Sequence, residues 1–199
     1  MKTNKLPLLP IRDIVMLPTE VVHLEIGRKK SALVIEELTE KNRIVFFTTQ
    51  KNKRTEDPSA DDFFRIGTIG IVEEIKKLDG GRISIIVNGV KRAVISSFIK
   101  EEPYFEVEIQ EEPDNELTDD DYRDIDAIWQ LAKDSFESYA RHFGKNLSEE
   151  VIYVRSSDDL AEVSYVIMSN ISKVSITQRQ NFLEEKNPRE RLKICIAII

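Results

Sequence analysis

His23, His142 and Cys195 are the side chains of this 199-residue chain best suited to proton transfer, nucleophilic attack or metal binding near neutral pH. Their surroundings offer no partner for such chemistry. His23 falls in an alternating run, Val22-His23-Leu24-Glu25-Ile26, and reads as a surface residue of a strand. His142 follows a helical run and reads as a positive charge at a helix end. The two histidines and one cysteine are too far apart in sequence for a zinc pattern, and no His-Glu-x-x-His string occurs, so no metal site is expected. Gly27-Arg28-Lys29-Lys30-Ser31 is the string nearest a phosphate-cradling loop. It lacks the first glycine and reads as a basic helix start. Asp119-Asp120-Asp121 and Asp158-Asp159 resemble paired carboxylates but sit where helices begin, which is an ordinary place for acids. No catalytic residue is assigned, and the chain is expected to bind rather than to react.

The elements that carry these residues divide by period. Residues 1–112 read as strands: Val22 to Ile26, Ile44 to Thr49, Ile66 to Leu78, Arg82 to Val87, Val90 to Phe98, and Phe105 to Ile109. Asp79-Gly80-Gly81 and Asn88-Gly89 read as tight turns. One helix is expected from Ser31 to Glu40. Six short strands with one helix suggest a small closed or half-closed β-barrel. Residues 111–117, EEPDNEL, read as a solvated acidic linker. Residues 118–199 then follow a helical period. Thr118 caps a helix whose stripe is Tyr122, Ile125, Trp129, Ala132, Phe136, Tyr139 and Phe143, with Gly144 as its stop. Further helices are expected near Asp158, from Thr177 to Glu185, and from Asn187-Pro188 to the end. The class is α+β: a β-barrel with one helix, then an all-α bundle.

The chain is acidic, with a net charge of −7. This disfavours the counterion release that drives nucleic-acid binding, so nucleic acid is not the expected partner. A single cysteine and no signal or transit peptide suggest a reducing, cytoplasmic setting. No apolar run is long enough to span a membrane. The ending, ICIAII, closes on no glycine, proline or polar tail, as expected of a chain cut from a longer one.

Several strings occur in a specific order. LPLLPIRDIVMLP spans residues 6–18, and Gly27-Arg28 precedes a helix. Asp57-Pro58, Asp61-Asp62 and Gly67-Thr68 follow, then VNGVKRAVI at residues 87–95. Together they resemble the N-terminal domain of Lon-type ATP-dependent serine proteases, distinctly in the β half and less so through the helices. Leu17-Pro18-Thr19-Glu20 lacks the His or Gly usual after that proline, and Asn88 stands where an acid is common. The resemblance implies a PUA-like β domain plus a helical bundle that recognises and delivers unfolded or damaged proteins and aids assembly, within a hexamer of the parent. It places the ATPase, with its ATP and magnesium, and the Ser-Lys peptidase outside this chain, which itself needs no cofactor.

A receptor for unfolded protein needs tolerant apolar surface. Met16, Leu17 and Pro18 form the preferred patch, with Phe46, Phe47, Phe63 and Phe64 as further candidates. An acid at Leu17 is therefore expected to weaken binding and leave stability nearly unchanged. Self-association is expected through Leu192, Ile194, Cys195, Ile196, Ile198 and Ile199 of the last helix. An RNA-binding PUA-like module, or an adaptor for one protein partner, is the alternative.

Overall fold

A computed structural model of the protein describes residues 3–142 and 148–199. The class is α+β, and the chain divides into two compact units, Met1–Glu112 and Pro113–Ile199.

The first unit holds six strands and one helix. In chain order they are β1 (Thr3–Ile11), β2 (Val21–Ile26), α1 (Lys29–Glu37), β3 (Ile44–Thr49), β4 (Ile66–Lys77), β5 (Ile83–Lys100) and β6 (Glu106–Glu111). The sheet order is β2-β5-β4-β3-β1-β6, and β5 also pairs with β6. Five strands thus close into a ring, β1-β3-β4-β5-β6, and β2 lies outside it. The long strand β5 makes this possible. One edge of β5 runs along β4. Its other edge pairs first with β2, over Ile83 to Asn88, and then with β6, over Ala93 to Lys100.

The turn expected at Asn88-Gly89 does not form, and the two strands expected on either side of it are one continuous strand. The register against β4 shifts beside Gly70, where Val90 is the extra residue, so β5 bends without breaking. Gly89 is needed for a different reason. A Cβ built there would stand 2.1 Å from the Leu17 carbonyl oxygen. The corner Leu17–Glu20 is laid directly on this backbone: the Thr19 N–H donates to the Gly89 carbonyl, and the Gly89 N–H donates to Glu20, each at 2.8 Å. Thr19 takes the left-handed φ of 64° to do so.

Two apolar clusters fill the unit. Leu8, Phe46, Ile69, Ile95, Val107 and Ile109 form one, inside the ring. Leu9, Phe47, Val72, Ile85 and Val87 form the other, on the opposite face of the sheet, and Val34 and Ile35 of α1 cover it. Adjacent residues Phe46 and Phe47 therefore point into different clusters, and β3 is buried on both faces.

The second unit holds α2 (Asp119–Tyr122), α3 (Ile125–His142), α4 (Ser148–Ser156), α5 (Leu160–Asn170), α6 (Ile176–Glu184) and α7 (Pro188–Ile198). The helix expected from Thr118 is interrupted at Arg123-Asp124. Thr118 and Asp121 close a capping box on α2, and Arg189 at the start of α7 binds Asp124 with two donors at 2.7 and 2.6 Å. The apolar stripe begins only at Ile125, and Tyr122 is 62% exposed. Phe143 and Gly144 lie outside the described residues. Helix α4 was not expected from the sequence.

Helix α7 packs against α3 and α5. At its centre Arg191 is fully buried. It donates to both carboxylate oxygens of Asp114, at 2.6 and 2.7 Å, and to Ser164 Oγ at 3.0 Å, and it lies over the Tyr165 ring. Asp114 therefore anchors the segment that reads as solvated linker, because an unpaired guanidinium in this core would be costly. Cys195 is buried beside it, and burial pushes its thiol above the ordinary range.

The close approach at Gly89 yields a test. Gly89→Ala forces the Leu17 carbonyl aside and is expected to cost about 1–3 kcal/mol. Gly27→Ala meets nothing within 4 Å and is expected to stay within about 0.5 kcal/mol. Urea unfolding of the two variants checks this.

Candidate functional site

The residues expected to form an exposed apolar patch are mostly interior. Met16, Leu17, Phe46, Phe47 and Phe63 are at most 2% exposed, Pro18 is buried as well, and Phe64 is half-buried. The reason is local. The Met16–Pro18 corner is not a projecting loop, because it is clamped onto β5 at Gly89 and Met16 packs into the α1-covered cluster. Phe63 stacks edge-on against Phe105 instead of facing solvent. In the helical unit, Leu192 and Cys195 are fully buried, Ile194, Ile196 and Ile198 are half-buried, and Ile199 is exposed. Those four isoleucines, rather than the whole expected face, are what α7 offers at its surface.

The structure opens a different surface, beside β2. Leu24 to Arg28 and Leu9 to Ile14, with Ser31, line a groove of about 480 Å³. It runs between the outer edge of β2 and the last part of β1. A second groove of about 480 Å³ lies beyond Pro10, Arg28 and Ser31, which line both, and is bounded by Leu33, Pro58, Pro103 and Phe105.

The two strand edges beside the first groove differ in hydrogen-bonding capacity. On β2, the bond from the Gly89 N–H to the Glu20 carbonyl sets the alternation of the ladder with β5. Val22, Leu24 and Ile26 therefore turn their backbone groups toward β5, and Val21, His23 and Glu25 turn theirs outward. These outward groups have no hydrogen-bond partner among the described residues. On β1, the Leu8 N–H donates to Phe105 and the Ile11 carbonyl accepts from Gln50 across the strand. The nitrogen of Pro10 thus falls on the groove side, where it has no hydrogen to give. Proline blunts the edge of β1, and the edge of β2 stays open to pairing.

The groove is also electrostatically uneven. Arg28 precedes α1 and donates through Nη2 to Gln50 Oε1, at 2.8 Å, and to the Thr55 carbonyl, at 3.2 Å. Its Nε and Nη1, and Nε of Arg12, are shut off from solvent without a hydrogen-bond partner. Burial and the nearby Arg12 charge hold the Arg28 guanidinium below its ordinary pKa, against an opposing pull from Asp57. Other acids at the grooves pair elsewhere: Asp13 with Lys53 at 3.8 Å, Glu25 with Arg82 at 3.3 Å, and Glu102 with Lys30 at 2.6 Å. Sequence reading missed this pair of arginines, since Arg12 and Arg28 look like solvated charges.

The remaining chemistry-bearing residues lie apart. His23 is exposed on β2, and His142 ends α3 with Nδ1 2.7 Å from the Ser138 carbonyl. Asp121 is held below the usual carboxylate range by hydrogen bonds from Thr118, its backbone N–H first, so it serves as a cap. Among the described residues no helix is long and apolar enough to cross a membrane.

An open strand edge is a surface to which an extended polypeptide can add as a further strand. Residues 5–199 match the family model described as the ATP-dependent protease La (Lon) substrate-binding domain, and the chain belongs to that family. It is 34% identical over 193 residues to the Lon protease of Desulforamulus reducens, covering 96% of this chain and 23% of that one. It is 33% identical over 198 residues to the Lon protease of Heliobacterium modesticaldum, with 98% and 24% covered. The chain thus spans about a quarter of the length of these relatives. The N-terminal domain of a Mycobacterium avium complex Lon protease has the same fold, with a TM-score of 0.76 at 22% identity over 98% of this chain and 97% of that one. The Lon N-terminal domain protein of Xanthomonas campestris gives 0.64 at 18% identity over 98% of each chain.

Burial reverses the expectation for Leu17. Leu17→Asp places a charge where the side chain is wholly enclosed and is expected to cost more than about 3 kcal/mol. Thermal unfolding of the variant checks this.

Proposed function

We propose that the chain is the substrate-receiving domain of a Lon-type protease. It binds unfolded or damaged polypeptides and delivers them to ATPase and peptidase domains on other parts of such a protein, where ATP and magnesium are used. The observation that carries this reading is an unpaired strand edge beside a groove, in a domain of this family. An unfolded chain differs from a folded one in having backbone N–H and C=O groups to spare. An open edge recognises them with little regard to sequence, and the apolar wall of the groove accepts alternate side chains. The net charge of −7 supports a protein partner over RNA. The half-buried isoleucines of α7 and Ile199 are proposed to support oligomer assembly, with a hexamer as the assembled form, and the cytoplasm is the proposed setting.

Glu25→Pro tests the edge directly. The Glu25 N–H points away from β5, so proline removes an outward donor and no ladder bond. The expected result is at least about tenfold weaker binding of a permanently unfolded, carboxymethylated protein, with the fold retained by circular dichroism. Unchanged binding by the folded variant would reject the β2 edge as the receiving surface.

A further inference from the structure

We infer that the groove beside β2 reads the carboxyl-terminal end of an extended polypeptide, through Arg12 and Arg28. This rests on the polypeptide-binding role proposed above and adds which part of the chain is held.

The two guanidinium groups lie side by side with few acceptors. Three of their nitrogens are out of water and without an acceptor. Buried donors are nearly always satisfied, and two guanidinium groups of like charge side by side favour a negatively charged acceptor. The neighbouring acids do not supply it, since Asp13, Glu25 and Glu102 face Lys53, Arg82 and Lys30. Asp57 acts on Arg28 only at longer range, with no hydrogen bond between them. A carboxylate is the ligand that matches such donors in both charge and geometry.

The end of β2 favours a chain end over an acidic side chain. Strand β2 runs toward Arg28, and α1 begins at the next residue. Ser31 is buried and, with Pro10 and Arg28, lines both grooves. A strand lying on the outward groups of Val21, His23 and Glu25 therefore runs out of edge to pair with where β2 ends at Ile26, two residues before Arg28. A polypeptide running parallel to β2 would stop there, with its terminal carboxylate against Arg12 and Arg28. An internal Asp or Glu would require the chain to continue past the end of β2, where it has no further edge to pair with. The first turn of α1 contains no acid and has no side-chain cap, so nothing there repels the terminus.

The test uses the 199-residue protein and three unstructured ten-residue peptides, labelled at the amino end and read by fluorescence anisotropy. One ends in an apolar residue with a free carboxylate. The second has the same sequence with a carboxyl-terminal amide. The third is amidated but carries an internal Glu. The free acid is expected to bind at least about tenfold more tightly than either amide. Arg12→Gln is expected to remove that preference, bringing the free acid to the affinity of the amide of the same sequence. If Arg12→Gln does not fold, the three peptides on the unaltered protein decide alone. Equal binding of free acid and amide, with both weakened by Glu25→Pro, would overturn this inference and leave the edge-pairing role standing. Equal binding of the free acid and the internal-Glu peptide would overturn the assignment to a chain end. Failure of all three to bind, together with failure of the unfolded protein, would overturn both readings.

Discussion

The first unit depends on how one edge of a single strand is shared. Strand β5 is 18 residues long, and every backbone group along it that leaves water needs a partner. Strand β4 satisfies one edge. The other edge is divided between β2 and β6, with the bend at Val90 marking the change of neighbour. Because β6 continues round to β1, the ring closes on that side. Because β2 does not reach β1, the sheet remains open on the other. The open edge thus follows from the same pairing that builds the core, and the corner at Leu17–Glu20 fixes it by lying on Gly89.

Two buried or half-buried arginines show how differently one fold can treat the same side chain. Arg191 has a bidentate carboxylate, a hydroxyl and an aromatic ring, and it ties the segment around Asp114 to the helical core. Breaking such a pair costs about 3–5 kcal/mol, which makes it a structural fixture. Arg28 has an amide oxygen and a carbonyl on one nitrogen only, and its neighbour is another arginine. The first arrangement is complete. The second leaves two nitrogens without a partner beside a groove, and this contrast separates a residue that holds the fold from one proposed to meet a ligand.

Much of the fold was legible in the sequence. Alternation at Val22–Ile26 and the β-branched run at Ile44–Thr49 marked strands correctly. Asn187-Pro188 lies at the helix start that its chemistry suggests, and the helices expected near Asp158 and from Thr177 begin at Leu160 and Ile176. The ordered strings from Leu6 to Ile95 pointed to the family. The failures have physical causes. Asn88-Gly89 is a turn dipeptide by local preference, but here the glycine makes room for a distant carbonyl. Met16, Leu17 and Pro18 look like an exposed corner because the strand they lie on is 70 residues away in sequence. Arg12 and Arg28 look solvated because periodicity says nothing about which charges meet. The exposure of the last helix was only partly legible, since a helix packed on two neighbours buries more of its circumference than its own stripe suggests. The open edge of β2 was not legible at all, because it is a property of what fails to pair.

The central claim is that the outward backbone groups of β2 are unpaired in the free protein and become paired when an unfolded polypeptide binds. Amide hydrogen exchange on β2 measures this most directly. The account predicts rapid exchange at Val21, His23 and Glu25 in the free protein, slow exchange at Val22, Leu24 and Ile26, and marked slowing at the first three once unfolded polypeptide is added. Protection of His23 and Glu25 in the free protein, or exchange there that the added polypeptide leaves unaltered, would contradict it.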